Sequence, residues 1–358
     1  MRPTYAEIDL GAIADNVAAF AALIAPSQVC AVVKADAYGH GDAPVAATAI
    51  DAGASQLAVA LVEEGVRLRE AGVSAPILLL SEPGHDAIGE IVEWDLTPTA
   101  YSVPFIAALG STGESVDVHL KVDTGMHRVG APPDSLDDLL GAIAAAPGVG
   151  LGGLWSHFAV ADEDPDYTRK QIQRFDRAAA HADAPSTHLA NTAGATLFPE
   201  ARRDMCRIGL GIYGLHPCDE TRDVIDLRPA MRVITHVSHV QRLQAGERPS
   251  YGRRRPLQRD ATVVTVPIGY ADGYHRGMSE DAVVLIRGER FPLAGTVTMD
   301  QIVIDVGDED VDIGEEVVVL GEQGNGFVGA DEWASTLGTI TYEIVCSIGP
   351  RVPRRYLS

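Results

Sequence analysis

Two hydrophobic patterns divide the chain, and the change from one to the other falls near residue 230. From residue 29 to about 210, eight short apolar runs alternate with stretches of helical periodicity: VCAVV (29–33), LAVAL (57–61), ILLL (77–80), LTPTA (96–100), VDVHLKV (116–122), LGGLW (151–155), STHLA (186–190) and DMCRI (204–208). Short apolar runs spaced by amphipathic helices are the pattern of a parallel sheet covered by crossover helices. Helix ends are readable between them: Asp42, Ala43 and Pro44 open one helix and Gly53 closes it. The fourth run is the least strand-like, because Pro98 has no amide hydrogen to give to a ladder. Eight strand–helix units over roughly 200 residues predict a (β/α)8 barrel, with a doubly wound open sheet as the alternative. No glycine-rich GxGxxG turn follows the first run, which removes the usual dinucleotide-binding form of that alternative.

After Pro229 apolar and polar positions alternate and tight turns recur, in MRVITHVSHVQRL, ATVVTVPIGY, AVVLIRGERFPLAG, TMDQIVIDVG and EEVVVLG. That period of two predicts mostly antiparallel strands, and only DEWASTLG reads as helix. The expected organisation is a barrel over residues 1–229 followed by a C-terminal β domain over 230–358.

With 358 residues, 46% of them hydrophobic, the chain has enough apolar surface for a core in each part. Its formal net charge of −22 argues against nucleic acid, which is bound through basic patches, and favours a small-molecule substrate. The start MRPTYAEIDLGAI lacks the basic and apolar segments of a signal peptide, and no apolar run reaches membrane-spanning length. A soluble cytoplasmic protein with no membrane partner is therefore expected. Cys30, Cys206, Cys218 and Cys346 lie far apart with no CxxC pair, so no metal site is expected and the thiols read as buried and reduced.

Lysine usage changes the picture more. Of 28 basic residues only Lys34, Lys121 and Lys170 are lysines, and the first two end the apolar stretches CAVVK and VDVHLK, where a cation needs a reason beyond solvation. The active site of a (β/α)8 barrel is assembled at the carboxyl ends of its strands. At those positions stand Lys34 after the first run, Lys121 and Arg128 at and after the fifth, His157 after the sixth, Asn191 and Thr192 after the seventh, and Arg207 within the eighth. Taken singly, each is more often a salt bridge or a strand-end cap. Together, a lysine, two arginines and a histidine at one mouth can bind an anionic cofactor, and a strand-end lysine can condense with an aldehyde; pyridoxal phosphate has both properties. The glycine-rich RIGLGIYG (207–214) follows the eighth strand, where barrels bind phosphate through loop amides, although such turns serve close packing more often.

The segment AVVKADAYGHG (31–41) resembles the cofactor-lysine signature of the alanine racemases. Further segments match that family in the same order: AEIDLGAIADNV near the start, LKVDTGMHRVG (120–130), SHFAVAD (156–162), LANTAGA (189–195), RIGLGIYGL (207–215), SYGRR (250–254), PIGYADGY (267–274), GTVTMDQIVIDV (295–306) and TYEIVCSIGPRVPR (341–354). The resemblance covers almost the whole chain and implies the same barrel followed by a β domain. It implies that Lys34 carries pyridoxal 5'-phosphate and is one of two proton-transfer bases, with Tyr251 the other. Tyr38, Tyr342, Thr192 and the backbone at Gly209 and Leu210 would meet the cofactor phosphate, with Asn191 beside them; Arg207 would face the pyridine nitrogen, supported by His157. Arg128 and the backbone of Met299 would hold the substrate carboxylate, and Lys121 matches a position that is often carbamylated. Thr298 departs from the cysteine or serine that some members carry.

The implied function is interconversion of L- and D-alanine by a two-base mechanism in a homodimer with shared sites, supplying D-alanine for peptidoglycan. Removing the Cα proton on one face and returning one on the other requires two acid–base groups flanking the substrate. An arginine at the pyridine nitrogen weakens the electron sink, because guanidinium does not give up its proton, and this favours racemisation over transamination. A broader amino-acid racemase, a fold-related pyridoxal-phosphate decarboxylase and a non-catalytic carrier of the cofactor are the competing functions. YGHG after Lys34 and SYGRR speak against the decarboxylase, and the domain after Pro229 speaks against the carrier.

Overall fold

In the computed structural model, which describes residues 2–358, the chain divides into two compact units. One comprises residues 12–37 and 41–228; the other comprises the residues up to Gly11, residues 38–40 and residues 229–358. The first strand, β1 (Tyr5–Asp9), belongs to the second unit. All eight apolar runs of the first unit are strands: β2 (Gln28–Val32), β3 (Gln56–Val59), β4 (Ile77–Leu79), β5 (Thr99–Ala100), β6 (Val116–Lys121), β7 (Val149–Trp155), β8 (Thr187–His188) and β9 (Met205–Ile208).

These strands are parallel and run in the order β4-β3-β2-β9-β8-β7-β6-β5. The two ends of that series meet through the bridge Leu78↔Thr97, in which Leu79 N donates to Thr97 O and Thr97 N donates to Ile77 O, each at 2.9 Å, so the sheet closes into a (β/α)8 barrel. The joint is short for the reason visible in the sequence: Pro98 leaves β5 only two residues long. Strand residues on both faces are buried, including Val29, Cys30, Ala31, Leu57, Leu78, Val118, Leu120 and Leu154, as expected of strands with side chains filling the barrel on one face and covering helices on the other. The helix Asp42–Asp51 ends at Ala52, followed by Gly53 at φ 107, a conformation that carries little cost only in glycine. The long helix Pro165–Ala182 starts with Asp164 accepting from Tyr167 N and stops at left-handed Asp183.

The second unit adds β10 (Met231–His236), β11 (His239–Leu243), β12 (Ala261–Val266), β13 (Val283–Ile286), β14 (Glu289–Pro292), β15 (Ile302–Gly307), β16 (Glu316–Gln323), β17 (Gly326–Val328) and β18 (Arg354–Leu357). One sheet runs β14-β13-β16-β10-β1-β18, with β17 also on β16; a second runs β11-β12-β15. Every pairing is antiparallel except β1 with β18. The β13–β14 hairpin turns on Arg287 and Gly288, both at positive φ, as a two-residue loop requires.

Two expectations need correction. Residues 2–11 do not belong to the barrel: the partners of β1 are β10 and β18, more than 200 residues away, where no local pattern announces them. A second C-terminal helix, Thr341–Ser347, joins Ala330–Leu337, and it leaves Cys346 exposed instead of buried, whereas Cys30 and Cys206 are buried. Among the described residues no helix is long and apolar enough to cross a membrane.

Candidate active site

Because the barrel strands are parallel, residues at their carboxyl ends share one mouth. Lys34 lies two residues beyond β2, Lys121 ends β6, His157 lies two residues beyond β7, and Arg207 is the third residue of β9. Asn191 and Thr192 follow β8 and start the helix Thr192–Leu197, whose Gly194 N donates to Asn191 Oδ1 at 2.9 Å. Arg128 stands exposed on the loop after β6. That loop is folded back on the strand by Ala131 N donating to Lys121 O and Asp123 N donating to Ala131 O, both at 2.8 Å. Inside it, the Asp123 carboxylate accepts from Gly125 N, from His127 N and from His127 Nδ1.

The backbone after Lys34 is unusual. Residues Lys34–Gly39 form a helical turn in which Ala35, Asp36, Ala37 and Tyr38 all have φ between 51 and 54, so the turn winds left-handed. Each such L-residue costs roughly 1–2 kcal/mol, and the turn persists only because its surroundings fix it. Glu64 supplies part of that fixation: its buried carboxylate accepts from Ala35 N at 2.7 Å and from Ala60 N and Leu61 N at 2.8 and 3.1 Å. Asp36 Oδ1 accepts from Asp42 N at 2.9 Å.

Arg207 is the most heavily engaged side chain of the barrel and is only 2% exposed. Its Nη1 donates to His188 Nδ1 at 2.8 Å and His188 O at 3.2 Å; its Nη2 donates to Ser156 O at 2.7 Å and to His157 Nδ1 and Leu189 O at 3.1 Å. No hydrogen bond from Nε to a described residue accompanies these. Arg207 and Lys121 both lie on the Trp155 ring, the guanidinium carbon 4.5 Å and the ammonium 4.2 Å from its centroid. Burial pushes Arg207 down to about 10, so it stays a cation at neutral pH. Burial first, then the charge of Arg207, holds His157 well below the usual histidine range, which keeps it neutral and able to accept. Burial, with Arg207 and Arg128 as further causes, pushes Lys121 down to about 7. The charges acting on Lys121 are the cations Arg207, Arg128 and Lys34 against one carboxylate, Asp123.

Thr192 Oγ1 accepts from Gly209 N at 3.2 Å and from Gly211 N at 3.4 Å. The Gly209 amide is thus turned onto Thr192, while the Thr192 hydroxyl, having accepted twice, keeps its own hydrogen to donate. Gly211 permits this approach, since a Cβ there would lie 2.3 Å from Phe20 Cε2.

The second unit carries the remaining candidates. Tyr38 and Tyr342 lie with ring centroids 5.9 Å apart, and burial pushes the Tyr38 phenol above its ordinary value, so it is a neutral donor. Tyr251 is 73% exposed on a bend whose neighbours Ser250, Gly252 and Arg253 all have positive φ, and its carbonyl accepts from Thr296 Oγ1 at 2.8 Å. Met299 is 52% exposed, and its carbonyl accepts from Ala271 N at 3.0 Å. Gly269 is required beside it, because a Cβ would fall 2.3 Å from Thr298 O and 2.5 Å from Met299 O. The adjoining bend is anchored by fully buried Asp272, which accepts from Gly269 N at 2.9 Å and pairs with Arg2 at 2.6 Å.

Sequence reasoning did not single out Glu64, His119 or His188. Glu64 reads as the exposed first turn of a helix. His119 does carry a signal, since it lies two residues before Lys121 on the same strand and therefore faces the barrel interior with it.

The alanine racemase N-terminal domain family model matches residues 8–217, and the C-terminal domain model of the same family matches residues 230–356. The alanine racemase of Symbiobacterium thermophilum is 43% identical over 99% of this chain and 97% of its own length, and alanine racemase 1 of Bacillus subtilis is 39% identical over 99% and 93%. Among solved structures, alanine racemase from Streptomyces lavendulae superposes with a TM-score of 0.94 at 37% identity, covering 100% of this chain and 98% of that one. The Bacillus anthracis alanine racemase with bound L-Ala-P gives a TM-score of 0.94 at 35% identity, covering 100% and 96%. Full-length similarity in sequence, in both domain models and in three dimensions leads to one conclusion: the chain belongs to the alanine racemase family.

Proposed function

We propose that this protein interconverts L- and D-alanine with pyridoxal 5'-phosphate as cofactor, and so supplies D-alanine, the form used in peptidoglycan. The observation that carries this reading is the cationic strand-end cluster of Lys34, Lys121, Arg128 and Arg207, three of whose members act on the fourth against a single carboxylate. The donor set fits the cofactor. A site with that excess of positive charge calls for an anion, Lys34 offers an amine to an aldehyde, and Arg207 has committed Nη1 and Nη2 to the barrel wall, with Nε left to donate to a ring nitrogen.

When bound, pyridoxal phosphate makes the Cα hydrogen of an amino acid acidic by delocalising the electron pair left behind. The chain's own residues do the rest. Lys34 holds the cofactor and moves a proton at Nζ on one face of Cα; Tyr251 moves one at Oη on the other face. Tyr38 and Tyr342 donate phenolic hydrogens to the phosphate, as does the Thr192 hydroxyl, with the backbone at Gly209 and Leu210 and the Asn191-capped turn shaping that end. His157 braces Arg207 by accepting from Nη2. Arg128 and the Met299 backbone hold the substrate carboxylate. Lys121, whose ammonium form is disfavoured by burial and by the cations beside it, adds as the neutral amine to carbon dioxide: its nitrogen bonds the carbon, a proton leaves, and the resulting carbamate anion offsets the charge of Arg128.

A homodimer with shared sites is part of this reading. The exposure of Tyr251, Met299 and Tyr270 on one unit supports it, since apolar side chains with a catalytic task are costly to leave in water. A cytoplasmic location accords with the buried free thiols of Cys30 and Cys206.

Incubation of the purified protein with single L-amino acids, followed by chiral chromatography, tests the activity. Alanine should approach equal amounts of the two enantiomers. No D-alanine, or release of carbon dioxide from lysine, ornithine or diaminopimelate, would overturn the reading.

A further inference from the structure

Two buried histidines of the barrel interior have no part in the roles above. His188 Nδ1 lies 2.8 Å from Arg207 Nη1, and His188 Nε2 lies 2.8 Å from His119 Nδ1. A guanidinium has donors only, so His188 Nδ1 must accept and its single proton must sit on Nε2. That proton is donated to His119 Nδ1, which accepts in turn, so His119 also carries its proton on Nε2. The direction of the whole chain is set by Arg207.

The surroundings are built for these rings. Trp155 stacks on His188 with centroids 5.5 Å apart and planes 11° apart, and its own Nε1 donates to Thr99 Oγ1 at 3.1 Å. Gly153 makes room for His119, since a Cβ there would lie 2.8 Å from both Nδ1 and Cε1 of that ring. His188 is fully buried and His119 nearly so. Burial and the charge of Arg207 hold His188 well below the usual range and His119 down to about 4. Two apolar side chains would fill the same space without desolvating four ring nitrogens, so the pair calls for a reason other than packing.

We propose that His188 and His119 are positioning residues for Arg207: as a one-way chain of two neutral imidazoles they fix Nη1, and with it the plane of the guanidinium, so that Nε is the donor presented to the cofactor ring. His119 acts at one remove, by locking the tautomer of His188. A protonated His188 would set an N–H against Nη1 and turn the guanidinium away, so the neutrality of the pair is part of the device. This inference rests on the reading that Arg207 faces the cofactor ring nitrogen.

The test is long-range 1H–15N correlation on holoenzyme labelled with 15N-histidine, with His119→Asn and His119→Leu used for assignment and for kinetics. Both His188 and His119 should show the Nε2–H tautomer and remain neutral from about pH 8 to about pH 5. An Nδ1–H tautomer or an imidazolium at either position at neutral pH overturns the proposal. In His119→Leu the acceptor is gone, and kcat should fall about tenfold, the lower end of what loss of an outer hydrogen-bond partner costs, with KM for alanine little changed. His119→Asn places an acceptor oxygen near the site of Nδ1 and should restore most of that loss. Equal losses in both variants would assign His119 to packing alone and overturn the proposal. If the leucine variant does not fold, the tautomers of the wild-type protein still decide. An inactive wild-type protein with the expected tautomers would instead count against the racemase reading.

Discussion

Lys121 shows how a single residue's surroundings select its chemistry. Its position at the end of an apolar run marks it as unusual, and burial beside Arg207 and Arg128 brings its amine down to about 7. The sign follows directly: the neutral, nucleophilic amine is the major form above about pH 7 and is lost as pH falls through that value. With 13C-bicarbonate the protein should therefore show a labelled carbamate at about pH 8 that fades below pH 7, and Lys121→Ala should lack it. A label that persists in Lys121→Ala, or none at any pH, would contradict the assignment. Lys34, Arg207 and His157 were legible in the sequence for a common reason, since a polar residue at the carboxyl end of an apolar run has one obvious place in a barrel. His119 and His188 were not, because a polar residue within a strand says nothing about its partner, and the two lie 69 residues apart.

At the scale of the element, the left-handed turn Lys34–Gly39 is the least expected feature. AVVKADAYG carries no sign of it, since none of Ala35, Asp36, Ala37 and Tyr38 is glycine. The turn is imposed by tertiary contacts, among them the Glu64 carboxylate on Ala35 N. Ala37, fully buried within the turn, is where it is most vulnerable. Ala37→Val adds a β-branch to a left-handed residue and extra volume to a filled space, and should destabilise the protein by about 2–4 kcal/mol. Ala37→Gly removes the backbone penalty while adding freedom to the unfolded chain and should stay within about 1 kcal/mol of the parent. Urea midpoints for the two variants check the pair, and a tolerated valine would mean the turn is less constrained than its φ values indicate. Most barrel strands were readable because they are short and largely apolar, as in β2, β3 and β4; β5 (Thr99–Ala100) and β8 (Thr187–His188) are two residues long and were placed by the apolar runs around them. β1 was assigned to the wrong unit because its partners are supplied by residues 231–234 and 354–357.

For the molecule as a whole, the net charge of −22 sets the dominant long-range term. Excess like charge favours the expanded chain, and raising ionic strength from about 0.1 M to about 1 M shortens its reach from about 10 Å to about 3 Å. The thermal midpoint should rise with sodium chloride over that range; a fall would show that specific ion pairs, such as Arg2 with Asp272, outweigh the net repulsion. Assembly is the second question at this scale. If the proposed dimer shares its sites, mixing inactive Lys34→Ala with inactive Tyr251→Ala should restore part of the activity, because some mixed dimers would hold one site with both native residues. No recovery despite proven subunit exchange would place each site within one chain.

The two-base assignment is the centre of this account, and exchange of the Cα hydrogen in deuterium oxide by Tyr251→Phe tests it most directly. The substitution keeps the ring and removes the hydroxyl, and would leave the proposed cofactor lysine, Lys34, and the proposed carboxylate ligand, Arg128, in place. If the two residues serve opposite faces, the variant should still wash out the Cα hydrogen of D-alanine through Lys34, while exchange from L-alanine and net racemisation fall together. Equal loss of exchange from both enantiomers, with the cofactor still bound, would contradict the account and leave Tyr251 a positional role only.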